Sequence, residues 1–174
     1  MRQFLGVVVQ GREAHALDVA IEILGGSETS RLYRALVEDQ RIAISAGAGA
    51  NTSGLGGGSV SVYATPAEGV TLERLEAAID EVLAQYLRDG PTEAELTRAK
   101  NSLAANAVYS RDSQESLANM YGASLAQGES IDDVVNWPVD IQAVTRDEAI
   151  AMARRTLDIN ASVTGWLMPA EAAR

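Results

Sequence analysis

Apolar and polar positions along this chain follow two different periods. Residues 4–9 form a short, β-branched apolar run that predicts a buried strand. Leu17, Ala20, Ile21 and Leu24 then recur at helical spacing, and Gly25-Gly26 predicts the end of that helix. Ser27 or Thr29 is placed to cap a second helix that turns Leu32, Leu36 and Val37 inward. Residues 42–50 and 59–65 read as strands, the second alternating Val60, Val62 and Ala64 with polar neighbours. The small, glycine-rich stretch 51–58 between them predicts a hairpin with a floppy tip.

From residue 71 to 158 the pattern is almost wholly helical. Leu72, Leu75, Ile79, Val82, Leu83 and Tyr86 make one apolar stripe, closed by Gly90-Pro91. Thr92/Glu95 and Thr145/Glu148 have capping-box spacing, in which the hydroxyl accepts from a free N–H and the carboxylate reaches back. Ser130/Asp133 has a similar spacing. The helical pattern continues through Leu96, Ala99, Leu103 and Ala107, then Leu117, Met120 and Tyr121, then Ile150, Ala153 and Leu157. Trp137-Pro138 predicts a helix end packed on the core, and residues 162–168 return to strand character before a short polar tail. Strands and helices do not alternate one to one, which argues against a doubly wound parallel sheet. The order predicts one α+β domain over residues 1–174, with a mostly antiparallel sheet and helices packed on one face.

Composition narrows the function classes. The 174 residues are 47% hydrophobic and 22% charged, a globular composition long enough to bury a core. A net charge of −10 repels phosphate backbones and anionic lipid, so no nucleic-acid partner is expected. No run is long enough to span a bilayer, and residues 1–10 lack the features of a secretion signal; any such signal would lie outside this chain, and the compartment, cytoplasm or periplasm, stays open. With no cysteine there is neither a disulfide nor a thiolate ligand.

Candidate chemistry is sparse. His15 is the only histidine, and no second imidazole stands near it at H-x-x-E-H or H-E-x-x-H spacing. A solvent-facing or helix-entry role fits it better than a metal ligand, and a serine–histidine–acid triad is equally unsupported. Residues 54–58 are glycine-rich but lack the lysine of a phosphate loop and run into a strand, so a hairpin tip or a partner-contacting loop is expected there. The acidic pairs Glu38-Asp39 and Asp132-Asp133 are adjacent along helices, where neighbouring side chains point apart, and read as solvated faces. The residues themselves show no catalytic constellation.

A resemblance supplies more. The stretch Ile23-Leu24-Gly25-Gly26-Ser27-Glu28-Thr29-Ser30-Arg31-Leu32-Tyr33-Arg34-Ala35-Leu36-Val37-Glu38 resembles a signature of the pitrilysin/insulinase zinc peptidases. The similarity continues through Tyr63-Ala64-Thr65-Pro66, Gly90-Pro91-Thr92-Glu93-Ala94-Glu95-Leu96-Thr97-Arg98-Ala99-Lys100, Ala143-Val144-Thr145 and Ser162-Val163-Thr164-Gly165. In its particulars it is similar to the C-terminal, non-zinc-binding domain of the bacterial, mitochondrial-processing-peptidase-like branch. The resemblance implies the C-terminal half-domain of a longer two-domain metalloendopeptidase. It implies no cofactor in this chain: zinc and H-x-x-E-H would sit in a catalytic N-terminal domain or subunit, and this half would close a chamber around peptide. A homo- or heterodimer is compatible with it. Two alternatives are a structural subunit without proteolytic activity, like the peptidase-derived core proteins of respiratory complexes, and a free-standing partner of a separate catalytic subunit.

One departure from the family pattern matters. Many such domains carry, just after the Ser-Arg-Leu helix, an arginine and seven positions later a tyrosine, both contacting substrate near the scissile bond. Val37 and Ile44 hold those positions here, with Arg41 between them but out of register. Val37, Arg41 and Ile44 are therefore the substrate-wall candidates, with burial of Val37 and Ile44 in a core seam as the alternative.

Overall fold

The computed structural model describes residues 1–7, 9–52 and 57–168. Strand β1 (Arg2–Val7) leads into helix α1 (Arg12–Ile21), which continues as a wider π turn over Glu22–Gly26. Helix α2 (Arg31–Tyr33) likewise widens over Arg34–Asp39. The hairpin β2 (Ala43–Asn51) and β3 (Gly58–Pro66) follows. Five helices come next: α3 (Leu72–Asp89), α4 (Glu93–Tyr109), α5 (Gln114–Ala126), α6 (Ile131–Ala143) and α7 (Arg146–Thr156). The short strand β4 (Ser162–Thr164) closes the series.

The four strands form one sheet in the order β2-β3-β1-β4, and every pair is antiparallel. Alternation then divides the side chains between two faces. Phe4, Val60, Val62 and Ala48 point into the core with Leu17, Val19, Ala20 and Leu24 of the first helical segment. Gln3, Leu5, Ser59, Ser61, Tyr63 and Val163 are not buried and fall on the opposite face by register. This is the expected α+β architecture, with helices on one face of an antiparallel sheet.

The capping predictions hold at atomic level. Thr92/Glu95, Ser130/Asp133 and Thr145/Glu148 each form a complete capping box. Other expectations need correction. Ser27 and Thr29 do not cap the second helix; their hydroxyls bond each other at 3.1 Å, and Ser30 takes the cap position with its own hydroxyl buried and unpaired. Pro138 lies inside α6 rather than ending a helix, because Trp137 and the buried Ile141 continue the inward stripe past it. Strand character over 162–168 shrinks to the three residues of β4, since β1 offers only Arg2–Phe4 as partners. The hairpin is as expected, but most of its tip, residues 53–56, lies outside the described residues, as does the tail 169–174.

Candidate functional site

The signature segment proves to be the joint of the fold. Arg31 donates to Glu95 through Nε and Nη2, both at 2.8 Å, and Nη2 also reaches the Gly90 carbonyl at 2.8 Å. Its guanidinium lies 5.1 Å from the centroid of the Tyr86 ring, a cation–π distance. Tyr86 is fully buried and donates its hydroxyl to the Ala20 carbonyl at 3.0 Å. One cluster thus ties α1, α2, α3 and α4 together. Burial pushes the Glu95 carboxyl up, but Arg31 and the backbone and hydroxyl of Thr92 outweigh it and hold it at about 2. Burial pushes the Tyr86 phenol up, so it stays a neutral donor. Sequence reading finds Arg31 in the signature and Glu95 in a capping box; their pairing across 64 positions has no local signal.

Gly25 has a second role beyond ending a helix. A Cβ there would stand 2.2 Å from the Ala48 backbone nitrogen, so the π turn packs directly on β2. On the same strand, a Cβ at Gly47 would meet the Tyr63 hydroxyl at 2.5 Å, because Tyr63 lies across that glycine.

The three wall candidates are close in sequence but differ in setting. Val37 is half-buried and packs against the core. Arg41 is exposed and has φ 53°, the left-handed conformation that reverses the chain after the helix; Ile42 N–H then donates to the Leu36 carbonyl at 2.9 Å. Ile44 is the extra residue at a bulge between Ala43 and Ser45, and it is 66% exposed. Arg41 and Ile44 therefore stand in solvent at the start of β2, and Val37 does not join them fully.

β2 is the edge of the sheet, with no strand on its outer side among the described residues. Over nine residues it carries no charge and no proline, only small side chains apart from Ile44 and Asn51. Natural edges are usually blunted by charge, proline or covering elements; here the π turn at Gly25 lies against the middle of the strand and Ala46–Ala48 are buried, while Ile44 and Gly49 stay exposed. Beside it the uncovered face presents Ile44, Tyr63, Leu5 and Val163 above a floor of serines and glycines.

His15 sits half-buried on α1 at the α6 contact. Burial lowers its pKa although Asp140, Glu129 and Asp133 surround it. Among the described residues no group of three or more His, Cys, Asp or Glu side chains is placed to hold a metal ion. One histidine without cysteine does not fit a zinc site, so no hydrolytic step is derived through this chain. Among the described residues, no helix is long and apolar enough to cross a membrane.

Comparison with known proteins extends this picture. Residues 4–103 match the peptidase M16 inactive domain family. The chain is 28% identical over 155 residues to an uncharacterised zinc protease of Bacillus subtilis, covering 87% of this chain and 37% of that protein. It is 30% identical over 157 residues to an uncharacterised zinc protease of Mycobacterium leprae, covering 88% of this chain and 35% of that one. The chain thus spans little more than a third of these relatives. Among solved structures, the M16 inactive domain from Pseudomonas fluorescens superposes with a TM-score of 0.78 at 23% identity, over 92% of this chain and 38% of that one. A protease from Helicobacter pylori gives 0.83 at 18% identity over 92% and 38%. At these identities the superpositions speak for the fold.

Proposed function

Because this chain belongs to the peptidase M16 inactive domain family, we propose that it is the non-catalytic, peptide-facing wall of a zinc metalloendopeptidase chamber. Zinc and the water-activating H-x-x-E-H motif come from an N-terminal domain or partner subunit outside these residues. The observation that carries this reading is the sheet face on which Ile44, Tyr63, Leu5 and Val163 stand exposed beside the edge strand β2. An extended peptide laid along this face, pairing with β2 outside its buried middle, gains main-chain hydrogen bonds whatever its sequence. Ile44 and Tyr63 then offer apolar contact, and Arg41 offers a positive charge near the start of the strand. Val37 and Ile44 in place of an arginine and a tyrosine favour a second reading, a structural or partner subunit without proteolysis.

The absence of cysteine makes the test direct. A single Tyr63→Cys carrying a photo-crosslinker is mixed with the zinc-bearing half, its motif glutamate changed to glutamine, and an unfolded peptide. The expected result is label transfer to peptide from Tyr63→Cys and none from Ala151→Cys on the exposed side of α7. Equal transfer from both, or none from Tyr63→Cys, would sink the peptide-wall reading. Turnover by the assembly with an unaltered zinc half separates the two readings: cleavage supports the peptidase, and its absence the structural subunit.

A further inference from the structure

Helices α5 and α6 form an outlying pair whose exposed surface is poorly explained by packing. α5 has no buried residue, and α6 buries only Ile141. On α6, Ile131, Val135 and Val139 fall at i, i+4 and i+8 and are 56%, 47% and 69% exposed. That spacing puts three branched apolar side chains in one stripe over about 12 Å of helix. Leu125, Val108 and Tyr109 add exposed apolar surface on α5 and the end of α4.

Every charged residue of α5, α6 and the turn between them is acidic. Asp112, Glu115, Glu129, Asp132, Asp133 and Asp140 lie in this region, and no lysine or arginine occurs between Arg111 and Arg146. Arg12 and Lys100, brought in from α1 and α4, are engaged with carbonyls at the end of this segment, Ala143 and Gln142. Asp132 stands three residues before Val135 and seven before Val139, on the flank of the stripe, and is exposed.

We propose that the apolar stripe Ile131/Val135/Val139 and its acidic rim form a docking surface for a lysine- or arginine-flanked amphipathic helix of a partner protein. Charge selects the occupant. A second copy docking through this face would set the acidic side chains of α5 and α6 against their own kind, and anionic lipid would be repelled in the same way. A helix with apolar residues at i, i+3, i+4 and i+7 matches the stripe in length, and flanking cations answer the rim. The surface belongs to the outer helices and is independent of the peptide-wall reading, so either can fail alone.

The probe is a synthetic 14-residue helix with leucines at i, i+3, i+4 and i+7 and lysines on its flanks, titrated by fluorescence anisotropy. Saturable binding is expected, weakening as salt rises. Val135→Ser with Val139→Ser should weaken it about tenfold or more. Asp132→Asn with Glu129→Gln should weaken it and flatten the salt dependence, while Ile159→Ser, exposed elsewhere, leaves it unchanged. All substituted residues are exposed, so loss of binding would not reflect unfolding. Equal binding of a scrambled lysine peptide, or indifference to the valine substitutions, would reduce the effect to bulk charge and overturn the proposal. So would a concentration-dependent dimer abolished by Val139→Ser, or binding to anionic vesicles lost with the same variant.

Discussion

Single residues carry much of the coupling between distant segments. Glu95→Gln keeps the geometry of the α4 capping box but removes the charge facing Arg31. It should cost about 2 kcal/mol of stability, read by denaturant unfolding, because a partly buried guanidinium loses its counter-ion. Glu95 titrates near 2 in the fold against 4.5 ordinarily, so its contribution is present above about pH 4.5 and is lost as pH falls towards 2. The same substitution should therefore flatten the acid limb of the pH–stability curve. Glu148 is also held at about 2, by Arg12 and Thr145, but it lies in solvent, where salt screens the pair. Gly25→Ala should destabilise by about 3 kcal/mol, since its methyl would meet backbone rather than a movable side chain. The wall candidates should separate. Ile44→Tyr should leave the melting temperature nearly unchanged, whereas Val37→Arg should lower it measurably by moving an aliphatic side chain off the core. Equal large losses would place both in a structural seam.

At the scale of elements, the contact between α1 and α6 is tuned by one carboxyl. Burial raises Asp18 to about 6, although the Trp137 indole N–H donates to it, and Glu129 adds to the rise. A raised acid stabilises the fold below its ordinary value of 3.8, and that contribution is lost as pH rises through about 6. Asp18→Asn keeps an acceptor for Trp137 without the buried charge. It should raise the melting temperature at pH 7.5 and make little difference at pH 3.5; a loss at pH 7.5 would mean the ionised carboxylate is needed. Capping boxes were legible because they are local: a window of four residues suffices to state each one. Pro138 misleads for the complementary reason. A proline signals a helix end only where no tertiary contact holds the helix beyond it, and here Ile141 is buried.

For the molecule as a whole, the isolated chain should retain no stoichiometric zinc after reloading and desalting, and should cleave no peptide. Its single histidine stands among carboxylates that converge on no common point in the described residues. Stoichiometric zinc lost on His15→Ala would overturn that expectation. The candidate wall was only partly readable in advance. Alternation along β3 showed which residues face away from the core, but not that Tyr63 among them would stay exposed. Nor could it show that β2, rather than β1 or β3, would be the long edge strand of the sheet.

The sequence by itself determined the period of each segment, the three capping boxes, the β2–β3 hairpin and the poverty of metal ligands. These depend on residue types at short separations and on composition, both of which are complete in one chain. Only the tertiary structure decided that Arg31 meets Glu95 and Tyr86, that Gly25 touches β2, and that Ile44 is exposed while Val37 leans on the core. Each of those outcomes depends on which surfaces meet after the chain folds back on itself. An apolar residue at helical or strand spacing reads the same whether its stripe finds a partner or is left in water.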